Sequence, residues 1–460
     1  MPQPTTPEEP TSFGRLTAEI ETVGVQPVQD RDRTMNSWRL FIVFAMASAS
    51  ATTPLIGLLL YKMGLTNMVI AIIVAFLIGL VPAGIFSEMG RELPLTALIV
   101  ARKTFGRAGA LVFAVFFTFV NVGWFGLNTE VGGQILSAIF HTRGEFWFWA
   151  IGAIQIILVL FGMKWLEYFY RYTSVILIVC YGALTIYLFT HFHLHVPQAV
   201  GYTPWGGAIT TILIFSILSW TYKISTVSRF AVPADKTPHR TRYFLAPSIG
   251  IMISVLLMGV VGIFSQQATG NWNIALFGAT IPIWGVVAAV GVALAVVHTN
   301  ALNLYPSTVD LLAAVNTVAK PTKWEQPVAT LFLGILSTLL AIYGILAHVQ
   351  GFLDILGDFL VPFTFIMITD WVWIQRKRTP VEEFFAAPKT FGGWISLPAL
   401  AGWVVGFALS FWGQDILPGF FYNVLPLPVV ASIVASGVYW VLMVKRAVPA
   451  EPVLSEELNA

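Results

Sequence analysis

The chain has 460 residues, of which 57% are hydrophobic and only 10% charged, with a formal net charge of +2 and a mean hydropathy of +0.78. Soluble chains carry roughly a quarter charged residues, so there is too little polar surface here to coat a sphere of this size. That excludes a soluble cytoplasmic enzyme and a nucleic-acid binder, and the single cysteine, Cys180, excludes an intrachain disulfide scaffold.

Read in chain order, residues 1–37 form a polar tail with Glu8, Glu9, Glu19 and Glu21 and without the basic start and short apolar core of a signal peptide. Apolar runs long enough for a bilayer core, about 20 residues each, then predict twelve spans: 38–61, 66–87, 109–139, 146–163, 172–190, 207–232, 245–265, 282–305, 326–347, 352–374, 394–413 and 423–444. The runs are continuous rather than alternating, so they are helices and not barrel strands. The inner connections 88–108, 228–244, 306–325 and 375–393 are short and basic, and residues 445–460 form a second polar tail. The result is an all-α polytopic membrane protein.

Lysine and arginine orient it. With the N-terminus inside, 22 of the 25 cations fall on inner segments and the outer loops hold only Lys62 and Arg143. This bias fits an even number of spans with both termini cytoplasmic, as a multi-pass protein of the cell's inner (plasma) membrane.

Two spans carry interruptions. The first contains Ser48-Ala49-Ser50-Ala51-Thr52-Thr53-Pro54 and the sixth contains the polar stretch Ser216 to Thr226. They lie five helices apart, the offset of corresponding helices in two five-helix repeats. Unwound backbone inside a bilayer needs protein or water partners, so paired breaks line midplane sites. The alternative is that these hydroxyls bond back to the preceding turn and only bend each helix.

In the third span, Asn121, Trp124 and Asn128 share one helical face by their spacing, and the eighth holds His298, Thr299, Asn300 and Asn303. An aromatic face beside carboxamides suits a flat polar ring, which stacks while asparagine reads its donor and acceptor edge. Taken singly, each is equally a packing aromatic or an interhelical hydrogen bond. His191, His193 and His195 read as a solvated loop, since no cysteine or carboxylate joins them as a metal ligand.

At these residues the chain resembles the nucleobase:cation symporter family, the purine–cytosine permease group, and is most like bacterial cytosine permeases. The resemblance rests on Ile20-Glu21-Thr22-Val23-Gly24-Val25-Gln26-Pro27-Val28 with Arg33-Thr34, Ser48-Ala49-Ser50, Gly123-Trp124-Phe125-Gly126 and Arg229-Phe230. Thr299-Asn300 with Leu304-Tyr305, Asp370 followed by Arg376-Lys377-Arg378, and Leu417-Pro418-Gly419 extend it along nearly the whole chain. It implies the LeuT-type fold: repeat one over 38–190, repeat two over 207–374, helices 11 and 12 over 394–444, with helices 1 and 6 broken. It also implies import of a nucleobase-like heterocycle by cation-driven symport with alternating access, by a monomer whose partners are the bilayer and the small substrate. Mapped residue by residue, the substrate contacts fall on Ala47, Asn121, Trp124, Asn128, Ser216, Ile217, Ser219, Trp220, Asn300 and Asn303.

The family's sodium site maps to carbonyls near Val43, Met46 and Ala295 and to two hydroxyl positions, which here read His298 and Thr299. An imidazole is a poor ligand for a hard cation that wants oxygen. The sixth helix also carries Lys223, and an intramembrane lysine is costly and functional by default. It either stands in for the cation or takes up a proton, or else snorkels toward Arg229. Glu130 is a second proton candidate, with a structural bond to a hydroxyl as its alternative. Together His298, Lys223 and Glu130 favour a proton over sodium as coupling ion, with no other cofactor. Cytosine, a purine, uracil, hydantoin, allantoin and a hydroxymethylpyrimidine all suit the proposed face. A polytopic membrane enzyme is the rival class; the chain has no HExxH motif, no paired acidic loop motif and no phosphate cradle.

Overall fold

The computed structural model describes residues 20–278, 282–374 and 379–444. Short turns aside, its elements are α1 (Ser37–Ser48), α2 (Leu55–Leu59), α3 (Gly64–Glu92), α4 (Ala97–Thr104), α5 (Arg107–Phe140), α6 (Gly144–Leu160), α7 (Gly162–His191) and α8 (Trp205–Phe215). They continue as α9 (Ile217–Ser228), α10 (Arg240–Thr269), α11 (Ile274–Gly278), α12 (Pro282–Val318), α13 (Glu325–Tyr343), α14 (Val349–Thr369), α15 (Leu397–Ile416) and α16 (Leu427–Val444). Among the described residues ten helical segments are long and apolar enough to cross a bilayer, α8 and α9 counting as one, while α1 and α6 are apolar but shorter. Large apolar side chains such as Leu77, Phe119 and Ile186 point outward, as a lipid-facing surface requires.

Packing sorts the helices into two groups. α10 lies against α1 and α3, and α3 against α9; α12 runs along α5, which also meets α13 and α6. α7 touches α12 and α1, and α14 packs with the α15–α16 pair. The two interrupted spans therefore sit in the first group and face α5 and α12 in the second.

The first interruption is a true gap between α1 and α2. Thr53 Oγ1 donates to the Ser48 carbonyl at 2.6 Å and the Thr53 N–H donates to Ser50 Oγ at 3.0 Å, replacing bonds that helix would have made. Asn273 Nδ2 donates to the Ala51 carbonyl at 3.2 Å. Close approach of α10 makes the seat: a Cβ added at Gly262 would lie 2.0 Å from Pro54 O, and one at Gly57 would lie 2.2 Å from Ile263 N. The second interruption is narrower than the Ser216 to Thr226 stretch suggested. Ser216 alone leaves helical geometry, at φ −120 and ψ −94, and residues from Ile217 to Ser228 are regular helix.

Several predicted bounds need correction. α7 begins at Gly162 rather than 172 and α12 runs to Val318 rather than 305. A hydropathy reading stops at the first charge or proline, but Lys164 and Arg171 ride on α7, and Pro306 sits inside α12 with the helix continuing past it. The connection 306–325 is thus mostly helix, and 88–108 contains α4. Nor is the N-terminal stretch a free tail through residue 37. Glu21 N–H donates to Leu160 O at 3.1 Å, Gly24 N–H to Gln326 Oε1 at 2.7 Å, and Met35 and Ala231 form a parallel bridge. Arg15, the Arg376-Lys377-Arg378 run and the tail 445–460 lie outside the described residues.

Replacing Gly262 with valine is expected to drive a side chain into Pro54 and to cost on the order of 1–3 kcal/mol or more. Thermal unfolding of the detergent-solubilised chain should show a lowered midpoint. Gly182→Ala, in the interior of α7 with nothing within 4 Å, should not lower the midpoint and by helix propensity should raise it slightly.

Candidate functional site

The α1–α2 gap and the Ser216 kink meet at one narrow cavity of about 20 Å³, room for roughly a single water. Its wall contains Ala47, Trp124, Asn128, Ser216, Ser219, Trp220 and Asn303 from the residues mapped to substrate, and Lys223 and Thr299 from those mapped to coupling. Ser48, Ser50, Thr52, Thr53, Phe215 and Val255 complete the lining. These last six were absent from the predicted site, although four of them belong to the hydroxyl-rich break that the sequence shows openly.

Trp124 is held on edge by two rings. Phe215 and Phe352 meet it at centroid distances of 5.4 and 5.3 Å with interplanar angles of 84° and 80°. Such edge-to-face contacts fix the indole plane. Its Nε1, together with Ser48 Oγ and Asn303 Nδ2, is buried without a protein hydrogen-bond partner. A buried polar group left unmatched is costly, so three such atoms on one cavity wall make it the candidate for a ligand site.

Asn128 points its carbonyl at Thr52, whose hydroxyl donates to Oδ1 at 2.9 Å, and its amide donates to the Trp124 carbonyl at 2.9 Å. Other predicted contacts lie elsewhere. Asn121 is behind the wall, where Tyr222 OH donates to its Oδ1 at 2.9 Å and its Nδ2 donates to Asp310 Oδ2 at 3.1 Å. Ile217 packs toward Gly79 of α3, and Asn300 donates to Thr129 Oγ1 at 2.8 Å and Phe125 O at 3.2 Å. None of these three lines the cavity.

Lys223 does not snorkel. Its side chain is 1% exposed, its Nζ donates to Asn303 Oδ1 at 2.7 Å, and it stands 4.5 Å over the Trp220 ring. Trp220 and Lys223 are three apart on α9, so helix geometry stacks them on one face. Asp310, 1% exposed, is the acid that the sequence reading left in a connection. It lies seven residues beyond Asn303 on α12, about 10.5 Å along the same face, and only the assumed helix end at Pro306 hid it.

The mapped cation ligands are not gathered on this wall. Thr299 Oγ1 lies 2.6 Å from Ala47 O and 3.0 Å from Ala295 O. His298 turns the other way: its Nε2 is 2.6 Å from Thr173 Oγ1 and its ring stacks on Tyr170 of α7. Val43 and Met46 border a second cavity between α1 and α7, with Arg39 and Glu167. His298, bound to α7, thus adds no oxygen beside Thr299 Oγ1 and the Ala47 and Ala295 carbonyls. Glu130 is a cap: its Oε2 accepts the Leu346 N–H at 2.7 Å and its Oε1 accepts Gln134 Nε2 at 3.0 Å.

Residues 27–442 match the family model for permeases for cytosine/purines, uracil, thiamine and allantoin. The chain belongs to this family. It is a multi-pass membrane permease for small heterocyclic solutes and not an enzyme. Among curated relatives, a hydantoin permease of Microbacterium maritypicum is 22% identical over 418 residues, 85% of this chain and 84% of the relative. A purine-cytosine permease of Saccharomyces cerevisiae is 22% identical over 396 residues, 79% of this chain and 73% of the relative. Among solved structures, Mhp1, a nucleobase-cation-symport-1 family transporter in a closed conformation with bromovinylhydantoin bound, gives a TM-score of 0.79 at 18% identity, covering 93% of this chain and 96% of that one. A Na+-coupled sialic acid symporter gives 0.67 at 17% identity, covering 94% and 96%. The permease thus shares the inverted-repeat transporter fold that the resemblance implied.

If the Trp124 plane is the stacking surface, Trp124→Ala abolishes uptake into proteoliposomes while insertion and monodispersity persist. Trp124→Phe, which keeps a ring but loses the N–H, should retain uptake with affinity lowered roughly tenfold. Wild-type flux in the alanine variant would remove the cavity from consideration.

Proposed function

We propose that the permease imports a planar nucleobase or related heterocycle by proton-coupled symport, with alternating access about the cavity between the two helix breaks. The observation that supports this most directly is the set of unpartnered groups, Trp124 Nε1, Ser48 Oγ and Asn303 Nδ2, beside aromatic faces at that point. Binding at the junction of two discontinuous helices lets the groups of helices rock about the substrate. In this reading twelve segments cross the inner (plasma) membrane, both termini are cytoplasmic, and one chain is the working unit. The heterocycle is held by Trp124, Asn303, Ser216, Ser219, Trp220 and Asn128.

A proton is the favoured coupling ion for two reasons. His298 faces α7 and supplies no oxygen, and Lys223 brings a group that can hold or release a proton to the substrate wall. Sodium on the Val43, Met46, Ala295 and Thr299 oxygens is the competing reading. Uptake of labelled bases into proteoliposomes, with proton and sodium gradients imposed separately, decides between them. Uptake driven by the proton gradient alone is expected, and Lys223→Met should abolish its dependence on that gradient. Uptake that follows only the sodium gradient, or an unaltered pH profile in Lys223→Met, contradicts proton coupling through this residue.

A further inference from the structure

The cavity wall has a chemical sense. Two of its three unpartnered groups can only donate, while the third, Ser48 Oγ, can donate or accept. Trp124 Nε1–H can only donate, and so can the Asn303 amide nitrogen; both are buried with no protein acceptor. Which end of Asn303 faces the cavity is decided by Lys223. While Lys223 is protonated its ammonium has no acceptor to offer, so the Asn303 oxygen turns toward Nζ, 2.7 Å away, and the NH₂ group is left facing the cavity. Lys223 retains further protons of its own on the same wall.

Ser48 Oγ aside, the acceptors each already receive a proton from the protein. Asn128 Oδ1 accepts from Thr52, the Ser216 carbonyl from Ser219 Oγ at 2.8 Å, the Ala47 carbonyl from Thr299, and the Ser48 carbonyl from Thr53. An incoming ring oxygen would find the donor-only groups of Trp124 and Asn303, whereas an exocyclic amine would meet hydrogens at both and could donate only to Ser48 Oγ or to an oxygen already accepting a bond. A site whose polar groups are matched to one hydrogen-bonding sense rejects the opposite sense far more strongly than it rejects a change of size.

We propose that this cavity selects heterocycles recognised through ring oxygens, cyclic imides and ureides bearing carbonyls on the recognised edge, over amino-substituted bases of the same shape. Lys223 acts in this as a positioning residue, because it fixes the donor face of Asn303. The inference rests on the reading of this cavity as the substrate site.

Uracil and cytosine, and likewise hypoxanthine and adenine, have nearly equal stacking area and differ in an oxo group exchanged for an amino group, with the adjacent ring nitrogen carrying hydrogen in the oxo member and a lone pair in the amino member. Ligand-dependent thermal stabilisation of the detergent-solubilised full chain, titrated with each of the four, measures the preference without any substitution. Apparent affinity for the oxo member of each pair should exceed that for the amino member by roughly tenfold or more. Asn303→Asp replaces the donor by an acceptor while keeping a partner for Lys223, and should narrow or reverse that ratio. Equal or tighter binding of cytosine and adenine overturns the inference and leaves the transport reading in place. So does an unchanged ratio in a folded Asn303→Asp protein. If none of the four stabilises the chain, the assignment of the cavity as substrate site falls together with the inference.

Discussion

The rest of this structure depends on one constraint, that backbone groups released from a helix inside a bilayer must find partners there. The α1–α2 gap meets it locally and at long range. Hydroxyls of Ser50 and Thr53 satisfy the backbone of their own segment, and Asn273 and Thr299 reach in from other elements to Ala51 and Ala47. Gly57 and Gly262 allow α10 to come near enough to enclose the gap. Because these partners bond the carbonyls, the gap presents mainly hydroxyls to the cavity.

On the opposite wall the same scarcity of water acts on side chains. Lys223 is enclosed by Trp220, Tyr222 and Asn303, with Asp310 a turn or two further along α12. The ammonium thereby sets the orientation of an asparagine, and the asparagine carries that choice to the cavity. Asn121, Tyr222 and Asp310 form a second polar layer behind it. A cation in such a place is expensive unless its hydrogen bonds are met, which accounts for the concentration of carboxamides around it.

At the end of the bundle where Arg229 lies, the N-terminal strap performs a comparable service. Arg229 donates to Gly24 O at 2.9 Å and to Tyr305 OH at 2.9 Å, and Tyr305 OH donates to Glu21 Oε1 at 2.6 Å. Arg91 and Arg102 likewise end on carbonyls of neighbouring segments. Each of these three cations is thus satisfied largely by backbone oxygens of its own set of neighbouring segments.

Composition and run length alone determined that this chain is a helical membrane protein, because a bilayer admits few alternatives to long apolar helices. Trp124, Ser216, Trp220 and the Ser48–Thr53 break were legible as well, since polar or aromatic groups inside an apolar run stand out. What only the tertiary structure decided is which of those groups face one another. Asn121, Asn128 and Asn300 look equivalent along the chain, yet Asn128 borders the cavity while the other two are spent on neighbouring helices. Asp310 was concealed by a proline that the helix runs through, and His298 was turned toward α7 by Thr173 and Tyr170. Helical periodicity gives a side chain's face but not its partner, and in a low-dielectric interior the partner determines what the group can do.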